Sequence, residues 1–138
     1  FIRNAAAHNN CILSTLRKPN SLKKFSKTKK LANILGKIPE FRELDNRDAM
    51  MKNPVIHDFV TLLFVYNDVM KVSATKKARN RKMEEICHLF CDEDGRIKKN
   101  KSYFEKNPYI KEAYLFICSI IKYIDKKNKN PKHTNFLQ

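Results

Sequence analysis

Only two glycines, Gly36 and Gly95, occur in the 138 residues. An all-β protein needs many tight turns of the kind glycine serves, so this scarcity argues against one. Neither a Walker-type phosphate loop nor a dinucleotide fingerprint can be written with so few glycines. Tryptophan is absent, and acids are scarce: 14 Asp plus Glu stand against 29 Lys plus Arg, a net charge of +15. No apolar run approaches the ~18–20 residues that cross a bilayer. The chain opens Phe1-Ile2-Arg3 with neither an initiator Met nor a secretory signal, which reads as part of a longer protein or a processed product.

What is present is enough for a core. Apolar residues make up 42% of the chain, and the length fits one domain. The four cysteines, at 11, 87, 91 and 118, lack the spacing of a small disulfide scaffold. Reduced thiols are therefore expected, in an intracellular (cytoplasmic or nuclear) protein.

The charge is unevenly spread. From Arg17 to Lys37 there are eight basic residues and no acid. A second cluster holds Lys71, Lys76, Lys77, Arg79, Arg81 and Lys82; a third runs from Arg96 to Lys132. Acids concentrate at 40–48 and 92–94. Such a surface steers an anionic partner: an acidic protein segment, nucleic acid or an anionic membrane surface. Lysine outnumbers arginine by 22 to 7, whereas bidentate readers of phosphate and base edges rely on arginine. That ratio favours solvated lysines over specific nucleic-acid readout.

Helical periodicity dominates. Ala5 to Leu16 reads as a short helix. Ser21 is placed to cap a second, with Leu22, Phe25, Leu31, Ile34 and Leu35 inward and Gly36 as its stop. Ile38 to Asp48 is less regular, with Phe41 and Leu44 available to the core. Asn53-Pro54 is a cap followed by proline at the first helical position. The helix after it, Val55 to Met70, is apolar on nearly every side, which predicts a central position. Ser73 or Thr75 starts the next helix, with Met83, Ile86, Cys87 and Phe90 inward, and Asp92 to Gly95 ends it in a turn. Ser102 is placed to cap a short turn, Asn107-Pro108 repeats the cap-plus-proline pair, and a last helix runs from Pro108 to about Lys126. The expectation is an all-α, single-domain bundle of about six to eight helices around residues 55–70. Residues 1–130 form the interaction domain and 131–138 a polar tail.

The chemical constellations are thin. Cys87-His88-x-x-Cys91 is half a metal site by composition. Its cysteines fall one helical turn apart on the stripe of Met83 and Phe90, where thiols pack as small apolar groups. His57 beside Asp58 reads as a first-turn surface residue. Asp92-x-Asp94-Gly95 misses the calcium-loop register, which needs glycine six places in. Tyr103, Phe104 and Tyr109 lie among lysines, a pattern that stacks bases but equally fills a core. No catalytic set, metal site, cofactor or small-molecule substrate is implied.

Several segments together resemble the RGS-homology domain, in its axin-like branch. They are His57-Asp58-Phe59 through Lys71, Lys77 to Cys91 ending FCDEDGRI, the run YIKEAYLFICSIIKYI, and the closing Asn135-Phe136-Leu137-Gln138. The likeness spans 53–138, with a looser match over Leu22 to Leu44. It implies an all-helical domain that binds a protein segment. Val60 stands where that family has Trp, and Ile56 where its GTPase-activating members aim an Asn at Gα, which argues against acceleration of GTP hydrolysis.

The expected role is a non-enzymatic, scaffold or regulatory domain that binds an acidic protein segment through Lys76, Lys77, Arg79, Arg81, Lys98, Lys99 and Lys101. A nucleic-acid-binding domain using Lys23, Lys24, Lys27, Lys29 and Lys30, and a GTPase-activating domain acting on Gα, are the alternatives.

Overall fold

The computed structural model describes residues 29–38 and 47–130. Along them run α1 (Lys29–Gly36), α2 (Arg47–Met51), α3 (Pro54–Ser73), α4 (Lys76–Phe90), α5 (Glu93–Lys99), α6 (Lys101–Lys106) and α7 (Pro108–Lys129), with no strand among the described residues. The all-α class is what the structure shows. Contacts divide the chain into two units, 1–62 and 63–138, and the division falls inside α3.

In the first unit, Leu31, Ile34, Leu35 and Ile38 are buried at the spacing of one helix face. Met50, Met51, Val55, Ile56 and Val60 are buried as well. Asn53 caps α3 as its position predicts: its Oδ1 accepts from the Val55 N–H at 3.0 Å, and its carbonyl accepts from the His57 N–H at 2.9 Å. His57 departs from the sequence expectation. It is buried, with Nδ1 3.5 Å from Asp58 Oδ1, because its position falls on the same face as Val60 rather than outward.

In the second unit, α4 and α6 both lie against α7, and α5 against α6. Ala113, Phe116, Ile117, Ile120, Ile121 and Ile124 line the buried face of α7, which carries more buried side chains than any other element described. The helix expected at the centre, α3, is buried on one side only. Leu62, Val65, Val69 and Val72 are exposed at i, i+3, i+7 and i+10, and beyond Asn67 no residue of α3 is fully buried. Apolar composition all round a helix does not itself supply partners all round it.

Asn67 and Asn128 are fully buried, and the Asn128 amide donates to Asn67 Oδ1 at 2.7 Å, tying α3 to α7. Asn67→Leu leaves the Asn128 amide buried without its acceptor, at an expected cost of about 1–3 kcal/mol in urea unfolding. Adding Asn128→Leu should recover part of that loss, since removing both polar partners removes the orphan. Simple addition of the two single losses would contradict this pairing.

Helix ends account for the remaining differences from expectation. Thr75, not Ser73, caps α4, its Oγ1 accepting from the Ala78 N–H at 3.2 Å; Ser73 Oγ donates back to Val69 O within α3. The acidic turn after α4 opens a new helix instead of only ending the old one. Asp92 Oδ1 accepts from the Gly95 N–H at 3.0 Å and starts α5, and a Cβ at Gly95 would run into that carboxylate. Asn107 does not cap α7 with its side chain. Its Nδ2 donates to Tyr103 O at 2.9 Å, serving the end of α6, because α6 and α7 meet with no loop between them. Asn100 does the same for α5, donating to Arg96 O and taking the capping position expected of Ser102. The helix read over 5–16, the capping by Ser21, the core roles of Leu22, Phe25, Phe41 and Leu44, and the 131–138 tail lie outside the described residues.

Candidate functional site

The basic residues sort by what each does for its own helix. A helix carries partial positive charge at its N-terminus and partial negative charge at its C-terminus. Arg96, Lys98 and Lys99 stand in the last turn of α5, Lys106 in that of α6, and Lys126, Lys127 and Lys129 in that of α7. There, positive charge stabilises the helix. Lys129 also bridges two elements, 2.9 Å from Asp125 and 3.1 Å from Glu84, and those carboxylates raise its pKa.

Lys76 and Lys77 are the opposite case. They occupy the first turn of α4, which has no acid, so their charges add to the positive end of the helix. Both are exposed, and neither pairs with a carboxylate among the described residues. Folding gives no local reason for them.

They border a concavity of about 790 Å³ lined by Thr75 to Ala78 with Asn80, Arg81 and Glu84. Arg81 is exposed and lies 3.6 Å from Glu85. Glu85 is held more tightly by Lys82 at 2.8 Å, which keeps its carboxyl below the usual range. Asn80 Oδ1 is buried with no hydrogen-bond partner among the described residues. Glu84, further along the same lining, is paired with Lys129 at 3.1 Å. The site is thus cationic at the helix start, and its lining carboxylate is already neutralised by Lys129.

The other residues named from sequence separate from this group. Arg79 is half-buried, with its Nε unpartnered among the described residues. Lys98, Lys99 and Lys101 are exposed on α5 and α6, with Lys101 3.9 Å from Glu105. Lys29 and Lys30 open α1, and Lys23, Lys24 and Lys27 lie outside the described residues. Asn80 and Glu84 were missed in the sequence. An isolated Asn or Glu on a charged helix carries no motif, and only the helix start at Thr75 hinted at their register.

The aromatics mostly serve packing. Phe104 lies 5.9 Å from the Tyr114 ring and Tyr114 5.7 Å from Phe90, while Tyr103 is about half exposed and packs edge-on against Phe104. Cys87 and Cys91 are half-buried on α4 and at its end, and no group of three or more His, Cys, Asp or Glu among the described residues is placed to hold a metal ion. Ile56, where the RGS resemblance places the Gα-directed Asn, is fully buried. No helix of the described residues is long and apolar enough to cross a membrane. Comparisons with family models, curated proteins and solved structures gave no match.

Proposed function

We propose that this chain is a non-enzymatic, protein-binding helical domain whose first turn of α4 receives an acidic protein segment. The observation that carries the reading is the pair Lys76 and Lys77, set at the positive end of a helix without a carboxylate and bordering a concavity. An incoming Asp or Glu side chain there meets both the lysines and the helix dipole.

The excess of lysine over arginine favours a polypeptide over specific nucleic-acid readout, which relies on bidentate arginine. The RGS resemblance agrees with a segment-binding role, and the buried Ile56 gives no support to action on Gα.

The test is a pair of titrations, with a fluorescent acidic peptide and with a single-stranded oligonucleotide, between about 50 and 200 mM salt. Peptide affinity is expected to fall by about tenfold or less, because a docked segment keeps its short-range contacts when steering is screened. Tight oligonucleotide binding that falls by about three or more orders of magnitude, with no measurable peptide binding, would replace the proposal with the nucleic-acid reading.

A further inference from the structure

Cys91 stands at the C-terminal end of α4, where the helix has already been left (φ −99°, ψ 27°). Cys118 lies across from it on α7, fully buried. Their side chains cross: Cys91 Sγ donates to Cys118 O at 3.7 Å, and Cys118 Sγ donates to Phe90 O, the carbonyl next to Cys91, at 3.8 Å. Each thiol therefore sits against the other's peptide. Phe90 O also accepts from Tyr114 Oη at 2.7 Å, fixing the stretch of backbone that carries Cys91 against α7. Cys87 lies one turn earlier on α4, and its carbonyl accepts from the Cys91 N–H at 2.7 Å.

We infer that Cys91 and Cys118 form a reversible disulfide that joins the end of α4 to α7 when the chain meets a low-molecular-weight disulfide oxidant. Cys91 is only partly buried and is the entry point; Cys118, out of reach of solvent, is the resolving thiol. In the first step the Cys91 thiolate attacks one sulfur of the oxidant, the oxidant's S–S bond breaks, and one thiol leaves. The Cys118 sulfur, giving up its proton, then attacks Cys91 Sγ of the mixed disulfide, and the second thiol leaves. Two protein thiols are oxidised and one oxidant disulfide is reduced to two thiols.

Cys87 is the poorer partner for Cys91, since a bond within one helix has to form against helical backbone geometry. Cys91 lies past the last helical residue and already faces α7. The new bond closes residues 91–118 into a covalent loop holding α5 and α6, with Lys98, Lys99 and Lys101 on it. The redox state thereby tethers the second basic group independently of the α4 site.

Neighbouring thiols and burial push Cys91 up, and burial pushes Cys87 up, so both rest protonated at neutral pH. Exchange is accordingly slow at pH 7 and accelerates about tenfold per pH unit as thiolate appears.

The experiment treats the full chain with oxidised glutathione and maps cross-linked peptides by mass spectrometry, with total thiols counted before and after. The expected product is a monomer two hydrogens lighter, with the Cys91 and Cys118 peptides joined. It should revert with a reducing agent, form faster at higher pH, and survive in Cys11→Ser and Cys87→Ser but not in Cys91→Ser. Cys118→Ser risks the core, so the peptide map of the unsubstituted chain is the deciding measurement. A bond from Cys91 to Cys87 or Cys11, an intermolecular dimer, or glutathione adducts without an internal bond would each overturn the inference.

Discussion

Replacing Ile117 with alanine is expected to lower the free energy of unfolding by about 2–5 kcal/mol. Ile117 has no exposed surface and sits in the middle of the buried face of α7. The loss combines the transfer free energy of three carbon groups with the cavity left between elements that relax only in part. For a protein with about 5–15 kcal/mol in hand, that is a large fraction of its stability. Urea unfolding followed by far-UV circular dichroism should show the midpoint shifted down. Val72→Ala is the control, since Val72 is 91% exposed at the end of α3. It should change stability by no more than about 0.5 kcal/mol. Equal effects at the two positions would contradict the assignment of α7 as the most buried element.

The second large effect is at the proposed site, and it has opposite signs in two measurements. Lys76→Glu with Lys77→Glu places two carboxylates in a first helical turn that now has none. Each should stabilise α4 by about 0.3–1 kcal/mol through the helix dipole. An acidic peptide would then meet like charge where it had met lysine, and its affinity should fall at least about tenfold. Gain of stability with loss of binding is the signature of residues kept for a partner. Lys98→Glu with Lys99→Glu makes the contrast: these stand in the last turn of α5, so reversal should weaken that helix.

Much of the helical framework was legible in the sequence, and the reasons are local. Asn53-Pro54, Thr75 and Asn107-Pro108 mark helix boundaries through backbone hydrogen bonding and the fixed φ of proline, which operate within a few residues. Of the apolar stripe Ile110, Ala113, Ile117, Ile120, Ile121 and Ile124 that the sequence shows, all but the half-buried Ile110 are buried, because a helix buries what recurs at its period. Where reading failed, the answer depended on something distant in the chain. Asn107 had two helices to serve, and the adjacency of α6 decided which. Val65, Val69 and Val72 look like core by composition, and only the arrangement of neighbours leaves them exposed. Asn67 reads as a polar interruption until Asn128, 61 residues on, supplies its partner.

The candidate site was legible in half. Lys76, Lys77 and Arg81 stand out as charge, but so do Lys98, Lys99 and Lys101, and charge density alone ranks them together. What separates them is position within a helix, since the same lysine stabilises a last turn and destabilises a first one. That distinction needs helix ends accurate to a residue or two, which patterning does not deliver.

The most direct test of the central claim is one titration of a fluorescent acidic peptide against the Lys76→Glu, Lys77→Glu chain and the unsubstituted chain at the same salt, each also unfolded in urea. The double variant is expected to unfold at equal or higher urea and to bind the peptide at least about tenfold more weakly. Unchanged peptide affinity in a chain that is no less stable would contradict it.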